Sequence, residues 1–270
     1  MSKPAIHDVD DEPVAMSDRS DVGGIATSVG KALAVLDAFR GEGAMLGVSQ
    51  IAERAKLPKS TTHRLLTLLV DQGYVERTEG RYRLGRVLFE LGSMVPECRP
   101  RSLRAIAMPF MTELYEATHA TVHLAVLDGD DVLYIEKIYG HRSIELPSRV
   151  GGRVPALCTA LGKAIVAFSP PGTIELMLSR RIPRLTTRTV INPAVMLSML
   201  NQTRLSGIAE DAEGSRLGAR CFAAPIPSRL GAVLGALSVS FALGERIHPA
   251  VPSQLKRAAS LIGASFIGAS

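Results

Sequence analysis

The chain has 270 residues and a formal net charge of +5, from 31 lysines and arginines against 26 aspartates and glutamates. Its hydrophobic fraction of 46% excludes a globally disordered chain and allows two domains, each with a core of its own. No apolar run is long enough to cross a bilayer, and the N-terminus does not have the pattern of a secretion signal. The three cysteines are widely spaced and fit no disulfide or zinc pattern. We therefore predict a cytoplasmic protein without a membrane partner.

The first predicted segment, residues 1–26, is an acidic tail without apolar periodicity, which predicts disorder. Thr27 and Ser28 then precede a helical pattern that opens the first domain, over residues 27–85. The predicted apolar face of this helix consists of Val29, Leu33, Leu36 and Phe39.

The stretch from Ser49 to Gly85 predicts a winged helix-turn-helix: a short helix, a tight turn, a second helix and two strands that meet at a Glu-Gly turn. Ser49 is predicted to cap the short helix, and Pro58 stands where the second helix begins. Lys56 occupies the turn, where glycine is the usual residue because φ is positive. A lysine in that conformation costs on the order of 1 kcal/mol relative to glycine.

A projection at about 100° per residue divides the second helix into two faces. The inward face comprises Thr62, Leu65, Leu66 and Leu69. The outward face supplies the predicted DNA contacts Lys59, Ser60, Thr61, His63, Arg64 and Thr67. Arg64 suits a guanine edge and the residues at the helix start suit phosphates, while Arg77 and Arg81 of the strand pair are predicted to reach the DNA backbone. The alternative is an ordinary solvated amphipathic helix, which the two following strands disfavour.

The second half of the chain predicts an α+β domain over residues 103–270, joined to the first by a linker over 86–102 that begins as a helix. Its predicted elements are a helix over Leu103–Thr118, strands over 121–127, 132–138 and 143–147, helices over 160–168 and 172–178, strands over 221–227 and 232–241, and a closing helix from 252 to about 267.

Short segments along the chain carry a family resemblance. They are Leu57–Leu66, Gly73–Val75, Tyr82–Gly85, Thr121–Val126, Arg149–Gly151, Thr159–Ala164, Gly218–Cys221 and Gly235–Ser240. In this order and spacing they resemble the IclR family of bacterial transcriptional regulators, over essentially everything after the acidic tail. The resemblance implies that the α+β domain is a GAF-like effector domain with an antiparallel sheet.

The resemblance also implies that a small organic acid is held between a helix start and polar side chains of the sheet. The matching effector-binding positions are Ala160 and Leu161, through their backbone amides, with Asp211, Cys221, Ser238 and Ser240. A helix N-terminus offers unpaired N–H groups to a carboxylate, and two serines that alternate along one strand face the same side. Because a second negative charge beside an anionic ligand is unfavourable, Asp211 is expected to accept a hydrogen bond from a ligand hydroxyl or to share a proton with the ligand. In the alternative interpretation, Cys221 is a core thiol and the serines only fill space.

Two positions depart from the family pattern: Gly214 stands where a second acidic residue is usual, and Ile208 replaces a common aromatic residue. Apolar residues predicted to line the pocket are Ile144, Leu146, Val154 and Leu157.

The function predicted from these features is sequence-specific regulation of transcription, as a repressor of catabolic or transport genes controlled by a small carboxylate effector. The predicted DNA partner is a double-stranded pseudo-palindromic operator bound by a homodimer or homotetramer, because one recognition helix contacts too few base pairs. No cofactor or metal is predicted. Two alternatives are an enzyme that pairs Cys158 or Cys221 with a histidine (His119, His123 or His141), and a redox or metal sensor that uses the cysteines. Neither has a supporting motif or ligand spacing.

Overall fold

The computed structural model describes residues 27–40, 45–141, 146 and 148–266. The chain forms two compact units that meet in the sequence between Pro100 and Arg101. The predicted acidic tail lies outside the described residues, as does most of the strand predicted over 143–147. None of the described helices is long and apolar enough to cross a membrane.

The N-terminal unit is a winged helix-turn-helix. Its helices are α1 (Ser28–Asp37), α2 (Val48–Arg54), α3 (Lys59–Asp71) and α4 (Arg86–Ser93), and its strands are β1 (Leu46–Gly47), β2 (Val75–Thr78) and β3 (Arg81–Leu84). The strands form an antiparallel sheet in the order β1-β3-β2. The predicted fold of this unit is confirmed. Strand β1 was not predicted, because two residues carry no readable alternation.

The predicted apolar face of α1 is wrong at two of its four positions. Val29 is 70% exposed and Leu33 is 56% exposed, whereas Val35 is completely buried. Thr27 caps the helix, since its hydroxyl accepts from the N–H of Gly30 at 3.0 Å. Apolar residues lie on more than one side of α1, so periodicity did not identify the face that packs in the core with Ile51 and Leu66.

The predicted cap of α2 is also wrong, because Ser49 is already the second residue of the helix. Gly47 precedes the helix in an extended conformation, and its N–H donates to Oε1 of Gln50 at 2.9 Å. Since Gly47 pairs with Arg81 in the sheet, the chain leaves β1 and enters the helix without an intervening residue.

The turn between α2 and α3 has the strained conformation that was predicted, with Lys56 at a φ of 53°. Replacing Lys56 with glycine is therefore expected to raise the free energy of unfolding of this unit by about 1 kcal/mol. Chemical denaturation followed by circular dichroism measures the change. Lys31→Gly inside α1 is the control, and it should lower stability by roughly 1 kcal/mol. A loss of stability in both variants would contradict the interpretation of the turn.

The C-terminal unit is an α+β domain built on one antiparallel sheet, as predicted. Its helices are α5 (Leu103–Thr118), α6 (Ala160–Ala167), α7 (Pro171–Ser179), α8 (Pro193–Ser206) and α9 (Val251–Ser265). Its strands are β4 (Thr121–Asp128), β5 (Asp131–Ile138), β6 (Arg153–Pro155), β7 (Ala209–Ala212), β8 (Ala219–Pro227) and β9 (Val233–Ala242). They are ordered β6-β5-β4-β9-β8-β7. Helix α8 and strands β6 and β7 were not predicted.

Strand alternation gives the two faces of this sheet different environments. On β4, Val122 and Leu124 belong to the core that includes α5 and α9. Ala125 belongs to the opposite core, beneath α6. His123 is two positions earlier on the strand and therefore lies on the same face as Ala125. The chain approaches α6 very closely at Gly162, where a Cβ atom would lie 2.0 Å from the carbonyl oxygen of Ala156. The start of α6 is thereby held against the segment that follows β6.

Candidate DNA-binding surface and effector pocket

Helix α3 has the two faces that were predicted. Thr62, Leu65 and Leu66 are buried, and Leu69 is half-buried. The Thr62 hydroxyl donates to the carbonyl oxygen of Pro58 at 3.1 Å, which satisfies this buried polar group. The predicted DNA contacts on the other face are exposed, apart from the half-buried Thr61: they are Lys59, Ser60, His63, Arg64 and Thr67.

The wing is a tight hairpin whose turn residues, Glu79 and Gly80, both have positive φ. Arg77 and Arg81, the two predicted backbone contacts of the wing, are exposed on its strands. The Arg77 guanidinium lies 5.7 Å from the centre of the Tyr82 ring. Arg83 is instead held by Glu76 across the hairpin, with Nη2 2.6 Å from Oε2. The unit thus presents cations on both the helix and the wing, as a phosphate backbone requires.

A cavity lies between α6 and the polar side of the large sheet. Its described lining consists of His123, Tyr134, Leu146, Ser148, Val154, Thr159, Ala160, Leu161, Ser215, Cys221, Ser238 and Ser240. The volume of this cavity is about 30 Å³, compared with roughly 10–15 Å³ for a single water. The cavity therefore has room for about two or three waters.

Five of the six predicted effector-binding residues line this cavity: Ala160, Leu161, Cys221, Ser238 and Ser240. Of the apolar residues predicted to line it, Leu146 and Val154 do so. Leu157 is buried in the neighbouring core, and Ile144 lies outside the described residues. Asp211, the sixth predicted residue, is not among the described lining.

Asp211 is instead engaged inside the protein. One carboxylate oxygen lies 2.5 Å from Nζ of Lys163, and both side chains are almost completely buried. The other oxygen accepts from the N–H groups of Gly214 and Ser215, at 3.1 and 3.2 Å. A Cβ atom at Gly214 would lie only 2.3 Å from the Asp211 carboxylate, so a larger residue at this position requires the carboxylate to move. Asp211 therefore positions the chain at Ser215, which lines the cavity.

The first turn of α6 presents free backbone donors to the cavity. The Thr159 hydroxyl caps the helix and accepts from the N–H of Gly162 at 2.9 Å. The N–H groups of Ala160 and Leu161 have no acceptor among the residues that the structure describes. Both groups are in a position to bind an anion at the helix N-terminus.

Five residues of the described lining were not predicted as pocket residues: His123, Tyr134, Ser148, Thr159 and Ser215. His123 shares its register with Ser238 on β9, and its Nε2 lies 2.7 Å from the Ser148 hydroxyl. Burial, assisted by the nearby charge of Lys137, lowers the pKa of His123 to about 3, so the ring is neutral. A histidine that alternates with apolar residues along a strand is a signal that sequence inspection can use. Tyr134 lacks such a signal, because a tyrosine in a strand is also an ordinary core residue.

The two buried thiols are not suited to nucleophilic or redox chemistry. Burial raises the pKa of both Cys158 and Cys221 to about 12, and the thiol of Cys158 donates to the carbonyl oxygen of Pro183 at 3.2 Å. Among the described residues, no three histidine, cysteine or acidic side chains are grouped as they would be around a metal ion.

Iodoacetamide at pH 8 is therefore expected to alkylate the exposed Cys98 at least about a hundredfold faster than Cys158 or Cys221, since only a thiolate reacts. Peptide mass spectrometry over time gives the three rates, and the same protein in urea serves as the control in which all three react. Native Cys221 reacting as fast as Cys98 would contradict its buried, protonated state.

Comparison with known proteins bears directly on these two sites. The family model for the IclR helix-turn-helix domain matches residues 28–79, and the model for the C-terminal part of the bacterial transcriptional regulator IclR matches residues 98–262. The HTH-type transcriptional regulator XynR of Escherichia coli is 36% identical over 80% of this chain and 86% of its own length. The transcriptional repressor IclR of Escherichia coli is 31% identical over 80% of both chains.

A solved structure agrees with these sequence relatives. The crystal structure of an IclR homolog from Microbacterium hydrocarbonoxydans, complexed with 4-hydroxybenzoate, superposes with a TM-score of 0.79 at 31% identity, over 89% of this chain and 99% of that one. These relatives are regulators of transcription and not enzymes, so the cysteine-histidine enzyme alternative is wrong. The chain is a DNA-binding transcriptional regulator and belongs to the IclR family.

Proposed function

We propose that this protein represses catabolic or transport genes by binding an operator, and that a small carboxylate in the C-terminal unit controls the binding. The observation that carries the proposal is the pairing, in one chain, of a winged helix with an exposed cationic face and a cavity with free helix N-terminal amides. Repression, as opposed to activation, is supported by the relative from Escherichia coli that is named as a transcriptional repressor.

The DNA contacts that we propose are those of the exposed face. Arg64 reads a base edge in the major groove, with His63 and Thr67 beside it. Lys59, Ser60 and Thr61 at the start of α3 fix the helix on the phosphates. Arg77 and Arg81 contact the backbone next to it.

The carboxylate of the effector is proposed to bind the N–H groups of Ala160 and Leu161. Ser238 and Ser240 are buried on the facing strand and offer hydroxyls to the same ligand. The 4-hydroxybenzoate bound to the homolog from Microbacterium hydrocarbonoxydans is an organic acid, which supports this ligand class. Asp211 acts through Ser215 in this proposal and not as a direct contact, because Lys163 already neutralises its charge.

Two or four copies of the chain are proposed to act together. The N-terminal unit exposes large apolar side chains on α1 and α4, including Val29, Leu33, Phe89 and Leu91. A second copy is the natural cover for such residues, and a two-fold pair of recognition helices fits a pseudo-palindromic operator. Effector binding then shifts the population toward an arrangement of the two DNA-binding units that no longer matches the half-site spacing.

A mobility-shift assay tests the proposal, with the purified protein and the DNA upstream of its own coding region. The assay is run without and with acetate, propionate, butyrate, benzoate and their hydroxy and oxo derivatives. Release of a sequence-specific complex by one acid is the expected result. A complex that no acid releases would overturn the effector assignment, and the absence of any specific complex at moderate salt would overturn the operator assignment.

A further inference from the structure

Tyr134 brings an unpaired hydroxyl into the cavity. Its side chain is on β5, is only 6% exposed and lines the cavity. No hydrogen bond of the phenol oxygen is found among the described residues, although most buried polar groups have a partner. The phenol oxygen is nevertheless in contact with open space. It differs in this from Nη1 of Arg153, which is fully buried and has no partner among the described residues. The phenol oxygen therefore faces the cavity.

The surroundings of Tyr134 hold it in place and keep it a donor. The His123 ring meets the Tyr134 ring edge to face, with 5.3 Å between their centres. His123 is itself held between Ser148, at 2.7 Å, and Ser238, at 3.5 Å. Burial raises the pKa of Tyr134 well above its ordinary value, and the neighbouring Cys221 and Asp211 act in the same direction. The phenol thus keeps its proton over the physiological range.

The described lining contains no lysine, arginine or carboxylate. A carboxylate on the ligand therefore finds its charge complement at the amides of Ala160 and Leu161, whereas Tyr134 offers a neutral donor. Neutral donors suit a hydroxyl or carbonyl oxygen, and a second carboxylate placed there would be buried without a counter-ion.

We propose that Tyr134 is a specificity-determining residue, whose hydroxyl donates to a hydroxyl or oxo oxygen of the effector, and that the protein responds to hydroxy- or oxo-substituted carboxylic acids in preference to the unsubstituted acids. This inference rests on the proposed function. An acid without the second oxygen leaves the Tyr134 donor buried and unpaired, and such a site rejects the analogue that lacks the group.

Isothermal titration of the full chain with matched acids tests the inference: propionate with lactate and pyruvate, butyrate with 3-hydroxybutyrate, and benzoate with 4-hydroxybenzoate. For the pair that binds, the substituted acid should bind at least about tenfold more tightly than the unsubstituted one. Tyr134→Phe should remove most of this preference, because it weakens the substituted acid and relieves the unsubstituted acid of the cost of an unpaired buried donor. Tyr139→Phe is the matched control, because Tyr139 is 67% exposed and outside the described cavity lining.

The outcomes separate the inference from the proposal beneath it. Equal weakening of both acids by Tyr134→Phe would identify a packing role, and an unchanged preference would place the second oxygen elsewhere; either result overturns the inference alone. If none of the acids binds the unmodified protein, the carboxylate effector itself is overturned. Thermal unfolding of both variants confirms that the comparison is made on folded protein, since phenylalanine keeps the ring of each tyrosine.

Discussion

Asp211→Asn is expected to lower the free energy of unfolding of the C-terminal unit by about 3–5 kcal/mol, the largest effect of any single substitution considered. The change leaves the Lys163 ammonium group without a counter-ion at a position where it is only 4% exposed. Removing one partner of a buried ion pair is costly, because the remaining charge is neither hydrated nor neutralised. Urea unfolding of the full chain, followed by circular dichroism, measures the loss.

The matched control for Asp211→Asn is Glu210→Gln, at the preceding residue of β7. Glu210 also forms an ion pair, with Nε of Arg220 at 2.7 Å, but both of these side chains are more than 40% exposed. Exposed pairs contribute about 0–1 kcal/mol, so this control should change little. A double variant, Lys163→Met with Asp211→Leu, should recover part of the loss, since no charge remains buried. Equal losses for Asp211→Asn and Glu210→Gln would contradict the assigned importance of burial.

Arg64→Ala is expected to weaken specific operator binding by roughly 1–3 kcal/mol, and to relax the base preference at one position of each half-site. The proposed reason is the loss of a paired contact with a guanine edge from the exposed face of α3. Lys59→Ala should act differently, because a phosphate contact carries no sequence information. It should weaken specific and nonspecific DNA alike, and reduce the salt slope of binding by about one unit.

Fluorescence anisotropy at several salt concentrations separates the two variants, with upstream DNA and a scrambled duplex of equal length. Arg257→Ala, on the exposed side of α9 in the other unit, removes the same charge and serves as the control. If Arg64→Ala leaves both affinity and footprint unchanged, the wrong side of α3 has been assigned to the DNA.

Local patterns were sufficient where one element has a single apolar side. Helix α3 was predicted with its buried residues correctly placed, because Leu65 and Leu66 lie opposite an outer face that is polar apart from the exposed Leu68. The bounds of α5 were predicted to the residue from its apolar register. In the structure, Ser102 caps the start of the helix and a left-handed His119 ends it. The buried face of α1 was predicted incorrectly for the opposite reason. This helix has apolar residues on several sides, and only its packing against neighbouring elements shows that Val35 is the fully buried residue.

Helix α8 was not predicted, although the sequence contains signals for its start and its end. Asn192 caps this helix, Pro193 is its first residue and Gly207 ends it in a left-handed conformation. These are recognisable start and stop signals. Strands β6 and β7 are different: they have three and four residues, and no neighbouring motif identifies them, whereas the helix-turn-helix identified the equally short β2 and β3.

The amino-acid sequence by itself determined the family, through the order and spacing of short segments along the chain. It also determined the outward residues of α3, because helical periodicity depends on neighbours within a few positions of one another. The tertiary structure decided the chemistry of the cavity. Lys163 and Asp211 are 48 residues apart, and only the packing of α6 against the sheet joins them and removes Asp211 from the described lining. Tyr134 became visible as a ligand donor only when its neighbours were known. Whether a buried polar group is satisfied depends on every element around it, and no local pattern contains that information.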